Sequence, residues 1–326
     1  MALAVTAACS RAGHAETAVV GTGSAFAAPI YTKWAEQEKS SAGIAINYQP
    51  SGSSVGQLQV LKGLTDFGAS DVPMDDRKLK EADILQFPTV VGGYAVVVNL
   101  PGVASGQLRL DGAVLADIFM GDIKLWDDSR IANLNPGISL PKLAISLLYH
   151  AGGSGGTYAI SRFLAKHSDV WRDKMGVGMT LNWPTGAGVK GSYGAASTIP
   201  MTAGGIGYAE FSYVVANHLS TVQIQNRAGR FVPPNGDTFA AAAERADWTV
   251  PNYAVDLTDM PGEKSWPIVT ATFVLVPRSA SKTATSKATL QFFKWAFAHG
   301  DDAARTLQFV PLPERVKADI SKNWNN

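Results

Sequence analysis

The chain has 326 residues, of which 46% are hydrophobic and 17% are charged. This length exceeds what one ordinary hydrophobic core needs, so we expect two globular domains. The formal net charge is +1 without a dense block of lysine and arginine, which argues against a nucleic-acid partner or an anionic membrane surface. Cysteine and histidine do not stand at the spacing of metal ligands, and we expect no metal and no cofactor.

Residues 1–15 have the pattern of a secretory signal that lacks its basic start. They are small and apolar up to Ala8, and residues 13–15 provide a cleavage site for signal peptidase before Glu16. We therefore expect export to the periplasm and a mature chain without cysteine. Acylation of Cys9, the only cysteine, and a plain N-terminal extension are the alternatives.

The first third of the chain alternates between short β-like runs and helical patterns. Strands are predicted at residues 18–23, 44–49 and 67–71, and helices at residues 29–38 and 53–62. In the first helix Ile30 and Trp34 form an apolar stripe, and Gly63 can end the second helix. This rhythm predicts an α/β fold with a mostly parallel sheet and helices on its faces.

Two long apolar runs, residues 87–100 and 266–277, are predicted to be crossover strands between two lobes. The chain would leave lobe I at the first run and return at the second. Between them we predict helices at 111–120 and 157–167 and strands at 144–149 and 204–210, and after the return a helix at 284–298 and a last helix from about Pro313. The predicted division is residues 16–90 and 270–326 for lobe I and residues 91–269 for lobe II.

Three Gly/Ser-rich loops, residues 21–26, 51–56 and 152–157, each lie between a predicted strand and a predicted helix. Small residues let the backbone approach a ligand closely, and a helix start offers unpaired N–H groups and a partial positive charge. Ser53 and Ser154 are predicted N-caps. Three such loops at one cleft would bind an anion, although each alone is also an ordinary turn.

Asp71 ends the third predicted strand. In open α/β sheets ligands bind beyond the carboxyl ends of strands, so its carboxylate could accept a proton from a protonated ligand oxygen. The alternative is a capping role for the following segment, residues 74–81.

A serine hydrolase is the competing interpretation of the same loops. Residues 52–56 and 152–156 both match the G-x-S-x-G pattern of a nucleophile elbow. In α/β-hydrolases the triad histidine follows the serine in the chain, which leaves His167, His218 and His299 and excludes His150. None of the three has a supporting context, so we predict that the protein is not an enzyme.

The sequence resembles the periplasmic phosphate-binding proteins of phosphate ABC importers from about Val20 to Trp324. The matching segments are residues 21–34, 66–71, 87–93, 118–128, 134–137, 206–208 and 246–248. This resemblance implies the type II periplasmic binding protein fold, with two α/β lobes, a hinge of two crossover strands and a ligand in the cleft between the lobes.

The resemblance also implies ligand-binding positions, and some of them have changed. The positions that keep the expected residue type are Phe26, Ser53, Asp71, Ser154 and Gly155. The changed positions are Ala25 in place of threonine, His150 in place of arginine, Gly152 in place of the acidic partner of that arginine, and Gly156 in place of a hydroxyl residue, with Thr157 next to it.

These changes remove a fixed cation and widen the pocket, because histidine only partly replaces arginine as an oxyanion ligand. A protonated His150 beside Asp71 would restore a positive charge, whereas a neutral one would disfavour a dianion. We expect a monomeric solute-binding protein that takes up phosphate or a related oxyanion for an ABC permease. The alternatives are an organophosphate, a phosphonate or a less charged organic solute as the ligand, or a secreted sensor or scaffold.

Overall fold

The computed structural model describes residues 17–42, 44–278 and 284–324. The predicted signal segment and Cys9 lie outside the described residues. Within them no helix is both long enough and apolar enough to cross a bilayer.

The N-terminal part of the chain forms the predicted β-α-β-α-β unit. Its elements are β1 (Thr17–Gly23), α1 (Ala28–Ala42), β2 (Ile44–Gln49), α2 (Ser53–Leu61) and β3 (Phe67–Ser70). Strand β1 pairs in parallel with β2 on one side and with β3 on the other. The stripe of α1 is buried, with Ile30 and Trp34 nearly inaccessible, and the indole N–H of Trp34 donates to the carbonyl of Gly300.

A short helix α3 (Asp76–Glu81) leads into β4 (Ile84–Val98), a strand of fifteen residues that are all buried. The first crossover strand was predicted at residues 87–100, so it starts three residues earlier than expected. The other crossover strand is β11 (Val269–Pro277), which was predicted to start at residue 266.

The segment between these two strands contains a second set of strands and helices. Its elements in chain order are β5 (Arg109–Leu110), α4 (Gly112–Met120), α5 (Ser129–Leu134), β6 (Ser146–His150), α6 (Gly155–His167), α7 (Asp169–Lys174), β7 (Ala187–Val189), α8 (Gly191–Thr198), β8 (Gly205–Glu210), α9 (Phe211–Ala216), β9 (Gln223–Gln225), β10 (Phe231–Val232) and α10 (Gly236–Ala243), with 3-10 turns at Ile199–Met201 and Pro251–Tyr253. Strand β6 pairs in parallel with β7 and β8, which repeats the arrangement around β1.

The chain ends with α11 (Ala284–His299), α12 (Asp301–Thr306), β12 (Val310–Pro311) and α13 (Glu314–Asn323). These elements pack back onto the first part of the sheet. Phe293 of α11 contacts the rings of Tyr31, Phe67 and Phe87 at centroid distances of 5.4 to 5.6 Å. The aromatic cluster therefore joins the two ends of the chain in one core.

One long strand serves both halves of the sheet, whose order is β2-β1-β3-β11-β4-β8-β6-β7. The first part of β4, from Ile84 to Gly93, pairs antiparallel with β11, and the part from Tyr94 to Val98 pairs antiparallel with β8. The pairing partner thus changes between Gly93 and Tyr94. The division at residues 90/91 and 269/270 remains a prediction.

Candidate functional site

A cavity of about 720 Å³ lies where the two halves of the sheet meet. All three Gly/Ser-rich loops contribute to its wall, through Ala25, residues 51–53 and residues 151–155. Asp71, Tyr94 and Glu210 line it as well. The loops therefore lie around a single cavity, which we call the cleft. A separate cavity of about 620 Å³ against α13 contains none of the predicted site residues.

The second and third loops touch across the cleft. Both the backbone N–H and the hydroxyl of Ser54 donate to the carbonyl of Gly153, at 3.3 and 3.1 Å. Gly155 faces Asp71 so closely that a Cβ atom there would lie 2.5 Å from its Oδ2 atom and 2.8 Å from Oγ of Ser53. Only glycine at position 155 lets the start of α6 approach the carboxylate of Asp71, which belongs to the first half of the sheet.

The three loops contain backbone N–H groups that are not used within the described residues of the protein. Phe26 precedes α1, Ser53 is the first residue of α2 and Gly155 is the first residue of α6. Within the part of the chain that the structure describes, the backbone N–H groups of these three residues have no hydrogen-bond acceptor. Those of Ser53 and Gly155 are the unpaired donors that a helix start provides, and the partial positive charge of each helix acts in the same direction. Phe26 lies two residues ahead of α1, in the loop.

Asp71 is buried and accepts four hydroxyl hydrogen bonds. Its Oδ1 accepts from Ser24 (2.5 Å) and Thr272 (2.7 Å), and its Oδ2 accepts from Tyr94 (3.2 Å) and Ser53 (3.3 Å). Burial raises the pKa of Asp71, while these four hydrogen bonds act in the opposite direction. Four donors on one carboxyl group are the environment of an ionised carboxylate.

Of the two predicted N-caps one is wrong and one is confirmed, and the alternative capping role of Asp71 is excluded. Asp71 does not cap the next helix, because Asp75 does so by accepting from the N–H groups of Arg77 and Lys78. Ser53 is not an N-cap either: Gly52, with a φ angle of 99°, takes that position, and the Ser53 hydroxyl turns to Asp71. Ser154 is the N-cap of α6, and its Oγ accepts from the N–H groups of Gly156 and Thr157.

His150 is enclosed, and both of its ring nitrogens are engaged. Nε2 lies 3.0 Å from the backbone carbonyl of Tyr208, so this nitrogen carries the proton. Nδ1 lies 2.9 Å from Oγ of Ser154 and accepts its proton in the neutral ring. Burial lowers the pKa of His150 to about 4. Of the two states that the sequence left open, the neutral one fits, and His150 restores no positive charge beside Asp71.

Three of the predicted site residues lie behind the wall of the cleft. The ring of Phe26 packs against Tyr94 and Phe309, with centroids 5.3 and 5.2 Å apart. Gly156 faces Tyr94 and His150. Thr157 is fully buried, and its Oγ1 lies 2.7 Å from the hydroxyl of Tyr208. Ala25, Ser53, Asp71, His150, Ser154 and Gly155 line the cleft directly.

Sequence reasoning missed several residues of the cleft, above all Tyr94 and Glu210. Glu210 ends β8 at the cleft and is 3% exposed. The rule that singled out Asp71 at the carboxyl end of a strand would also have found Glu210 at the end of its Gly-rich strand. Tyr94 follows Gly92 and Gly93 in β4, and no local pattern indicates that its hydroxyl reaches Asp71.

The charge in the cleft is mostly acidic. Asp71 and Glu210 are buried carboxyl groups, whereas Lys190 is the single lysine or arginine in the lining of the described chain and is exposed to solvent. Burial, with the nearby charge of Asp71, raises the pKa of Glu210 to about 8. Among the described residues no group of three or more histidine, cysteine, aspartate or glutamate side chains could hold a metal ion.

Comparison with known proteins assigns the class first. Residues 10–299 match the family model of the PBP superfamily domain. Solved structures with this fold include a high-affinity periplasmic phosphate-binding protein (PfluDING) with bound phosphate, at a TM-score of 0.74 and 20% identity over 94% of this chain and 93% of that one. A phosphate-binding protein from Stenotrophomonas maltophilia aligns with a TM-score of 0.72 and 18% identity over 94% of each chain. The fold is that of a two-lobed periplasmic binding protein.

Closer relatives define the family within this class. The phosphate-binding protein PstS of Pasteurella multocida is 43% identical over 307 residues, which cover 94% of this chain and 89% of the relative. PstS of Haemophilus influenzae is 42% identical over 94% of this chain and 92% of its own length. The chain belongs to the PstS family of phosphate-binding proteins.

Proposed function

We propose that the protein is a periplasmic solute-binding component of an ABC importer that binds phosphate or a related oxyanion in the cleft. The observation that carries this proposal is the meeting of the starts of α2 and α6, with unpaired N–H groups at Ser53 and Gly155 on the two halves of the sheet, around the carboxylate of Asp71. Helix starts bind anions through their N–H groups and their partial positive charge. The names of the PstS relatives and the phosphate bound to PfluDING support the same ligand.

The proposed ligand is held by hydrogen bonds without covalent chemistry. The N–H groups of Phe26, Ser53 and Gly155 donate to its oxygens. A protonated ligand oxygen donates a hydrogen bond to the carboxylate of Asp71, where it takes the place of the longest of the four contacts, the one from Ser53 at 3.3 Å. This pairing favours a protonated oxyanion over a fully ionised one, because an ionised oxygen would face a carboxylate without a proton between them.

A changed ligand is the second candidate, and the observation that favours it is the neutral, internally bonded His150. Among the residues that line the cleft, no buried cation stands in for the arginine that the resemblance expects, while Ala25 and Gly152 leave space. The room that the sequence suggested at Gly156 is taken up by Tyr94 and His150. An organophosphate, a phosphonate or a less charged organic solute would need less positive charge and more room. The cleft of about 720 Å³ is within the usual range for small-molecule sites.

Two measurements distinguish these candidates. Native mass spectrometry of the purified protein, recorded before and after dialysis, identifies any molecule that co-purifies. Calorimetric titration with inorganic phosphate then gives the affinity. Dissociation constants in the micromolar range or below support phosphate; an organic adduct together with no heat on phosphate addition supports the changed ligand. No adduct in either spectrum and no heat with phosphate, an organophosphate or a phosphonate would contradict an oxyanion ligand of either kind.

The remaining parts of the proposal concern partners and location. We propose that the chain is exported, acts as a monomer and delivers its ligand to a permease in the inner membrane, without a nucleic-acid partner. Cleavage before Glu16 gives a free mature N-terminus, and acylation of Cys9 gives a lipid-modified one. Mass spectrometry of the protein from the native host measures the difference directly.

Ser154 and His150 form a contact that also occurs in serine enzymes, and we propose that it is structural here. The serine Oγ caps α6, and the histidine N–H is bound to a backbone carbonyl rather than to a carboxylate. A pKa near 4 makes this imidazole a weak general base. We expect no labelling of Ser154 by a fluorophosphonate probe, with Ser154→Ala as the control. Labelling that disappears in this variant would overturn the proposal.

A further inference from the structure

We propose that Glu210 is a ligand-selecting residue of the cleft, which keeps a proton and shares it with Tyr94, so that only Asp71 carries a negative charge there. This inference rests on the proposed binding of an oxyanion and names a residue that controls it. The three side chains form a continuous path across the cleft, and we call them the Asp71–Tyr94–Glu210 path.

Register places these groups together. Tyr94 and Glu210 are directly paired residues of β4 and β8, at the point where β4 changes its partner strand. The Tyr94 hydroxyl lies 3.2 Å from Oδ2 of Asp71 and 3.4 Å from Oε1 of Glu210. Both carboxyl groups belong to the lining of the cleft, and all three residues are at most 3% exposed.

Counting protons along this path leads to a protonated Glu210. The Tyr94 hydroxyl has one proton, and the shorter of its two contacts is the one to Asp71. If it donates to Asp71, the oxygen of Glu210 at 3.4 Å faces a lone pair of Tyr94 and needs a proton of its own. The second oxygen of Glu210, Oε2, is enclosed and has no hydrogen-bond partner within the described residues. An ionised carboxylate would leave this oxygen buried without a donor, which is costly.

The other groups near Glu210 do not supply a compensating positive charge. Tyr208 and Tyr213 are neutral phenols whose pKa values are raised by burial and by Glu210 itself. The remaining titratable groups of the lining are the neutral His150 and the exposed Lys190 and Tyr193. Burial and the charge of Asp71 together raise the pKa of Glu210 to about 8, in agreement with the proton count.

The consequence is a dependence of ligand affinity on pH. Below pH 8 the cleft contains one carboxylate and one neutral carboxyl group. Above it, ionised Glu210 adds a second negative charge close to the anion, and affinity falls. Glu210→Gln retains a neutral side chain of the same size at every pH. The ratio of the dissociation constants of wild type and variant isolates this effect, because the ionisation of the ligand itself cancels.

The experiment is a calorimetric titration of wild type and Glu210→Gln with inorganic phosphate between pH 6.5 and 9.5 at constant ionic strength. We expect the ratio of the wild-type to the variant dissociation constant to increase at least tenfold over this range. Glu244→Gln, which removes an exposed carboxylate from the end of α10, is the matched control, and its ratio should stay constant. A constant ratio for Glu210→Gln would overturn the proposal.

A second measurement does not need the ligand. Carbon-13 NMR of the glutamate carboxyl groups in the ligand-free protein should show one resonance that titrates near pH 8. This resonance should vanish in Glu210→Gln. If Glu210→Gln does not fold, Glu210→Asp takes its place, and in that variant the resonance moves to the aspartate region. Phosphate binding without such a resonance would refute the role of Glu210 alone, whereas the resonance without phosphate binding would refute the proposed function alone.

Discussion

His150 stands where the resemblance to phosphate-binding proteins expects an arginine, and its surroundings explain why it is neutral. The carbonyl of Tyr208 accepts from one ring nitrogen, and the hydroxyl of Ser154 donates to the other. A second ring proton would break the contact with Ser154, which is also the N-cap of α6. The neutral imidazole at this position therefore supports the third loop and supplies no charge.

Restoring the arginine should strengthen phosphate binding. We expect His150→Arg to lower the dissociation constant for phosphate by roughly two decades, because a charge-assisted contact to a buried anion contributes about 2–5 kcal/mol. The low end applies because Gly152 provides no carboxylate to orient the guanidinium. Calorimetry measures the change, and His299→Arg adds the same charge on an exposed helix end as the control. Unchanged or weaker binding in His150→Arg would show that the pocket has diverged beyond this position.

The buried histidine should also destabilise the protein in acid. The pKa of His150 in the folded chain is about 4, below its ordinary value of 6.5, so between these values the unfolded chain binds more protons. Stability is therefore retained above pH 6.5 and lost as the pH falls to 4, by roughly 3 kcal/mol from this group. Urea denaturation of wild type and His150→Gln at several pH values measures it. Parallel curves for the two proteins would contradict the assignment.

Single residues of the site were predictable to different degrees. Asp71 and the small residues of the loops follow from the position of strand ends and helix starts. The orientation of Ser53 toward Asp71, rather than to its own helix, depends on a neighbour eighteen residues away. The link from Tyr94 to Glu210 depends on strand register over 116 residues, and a local pattern contains no information on such a pairing.

At the scale of elements, local periodicity correctly predicted where the longer helices and strands occur and which of the two each segment forms. Strand β2 was predicted at 44–49 and spans Ile44–Gln49. Strand β4 begins three residues before its predicted start because Ile84 to Gln86 pair with the end of β11. Long-range pairing fixes that boundary, so the residues near it could not reveal it.

Helix α2 lies unusually close to the sheet, and Gly56 makes this approach feasible. A Cβ atom at position 56 would overlap the carbonyl oxygen of Ala69 and lie 2.7 Å from Cα of Gly23. Both neighbours are backbone atoms and cannot rotate away. The close approach in turn holds Ser53, at the start of the same helix, against Asp71.

We expect Gly56→Ala to lower the free energy of unfolding by about 2 kcal/mol or more, despite the higher helix propensity of alanine. Urea denaturation monitored by circular dichroism gives the value. Gly236→Ala is the matched control, since position 236 is also helical and its nearest atom is the side-chain tip of Gln308 at 3.5 Å. Equal stability of the two variants would mean that α2 shifts away from the sheet at little cost.

At the scale of the whole molecule, the two halves are in contact across the cleft through Ser54 and Gly153. This contact is typical of a closed state, in which a ligand would be enclosed between the lobes. Position 153 has no room for a side chain, because a Cβ atom there would overlap both Oγ and Cβ of Ser54. The closed contact can therefore be blocked by one methyl group.

We expect Gly153→Ala to prevent closure and to weaken phosphate binding at least tenfold. Ser54→Gly in the same chain removes both overlapping atoms and should restore affinity, which a change in local folding alone would not explain. Calorimetry measures the binding, and small-angle scattering with and without phosphate measures the compaction. If the single variant still contracts on adding phosphate, the contact between these two loops is not required for closure.

The order in which the sheet is threaded has a consequence for synthesis. Strand β11 separates β3 from β4, so the first half of the sheet cannot be assembled until residue 277 has been made, and its core also needs Phe293. The intervening half has all its own strands once residue 232 has been translated. During synthesis the second half can therefore fold before β11, the central strand of the first half, has been made. A nascent chain stalled between these points would leave the edge of β3 that pairs with β11 without a partner, and its backbone N–H and C=O groups would be open to pairing with another chain.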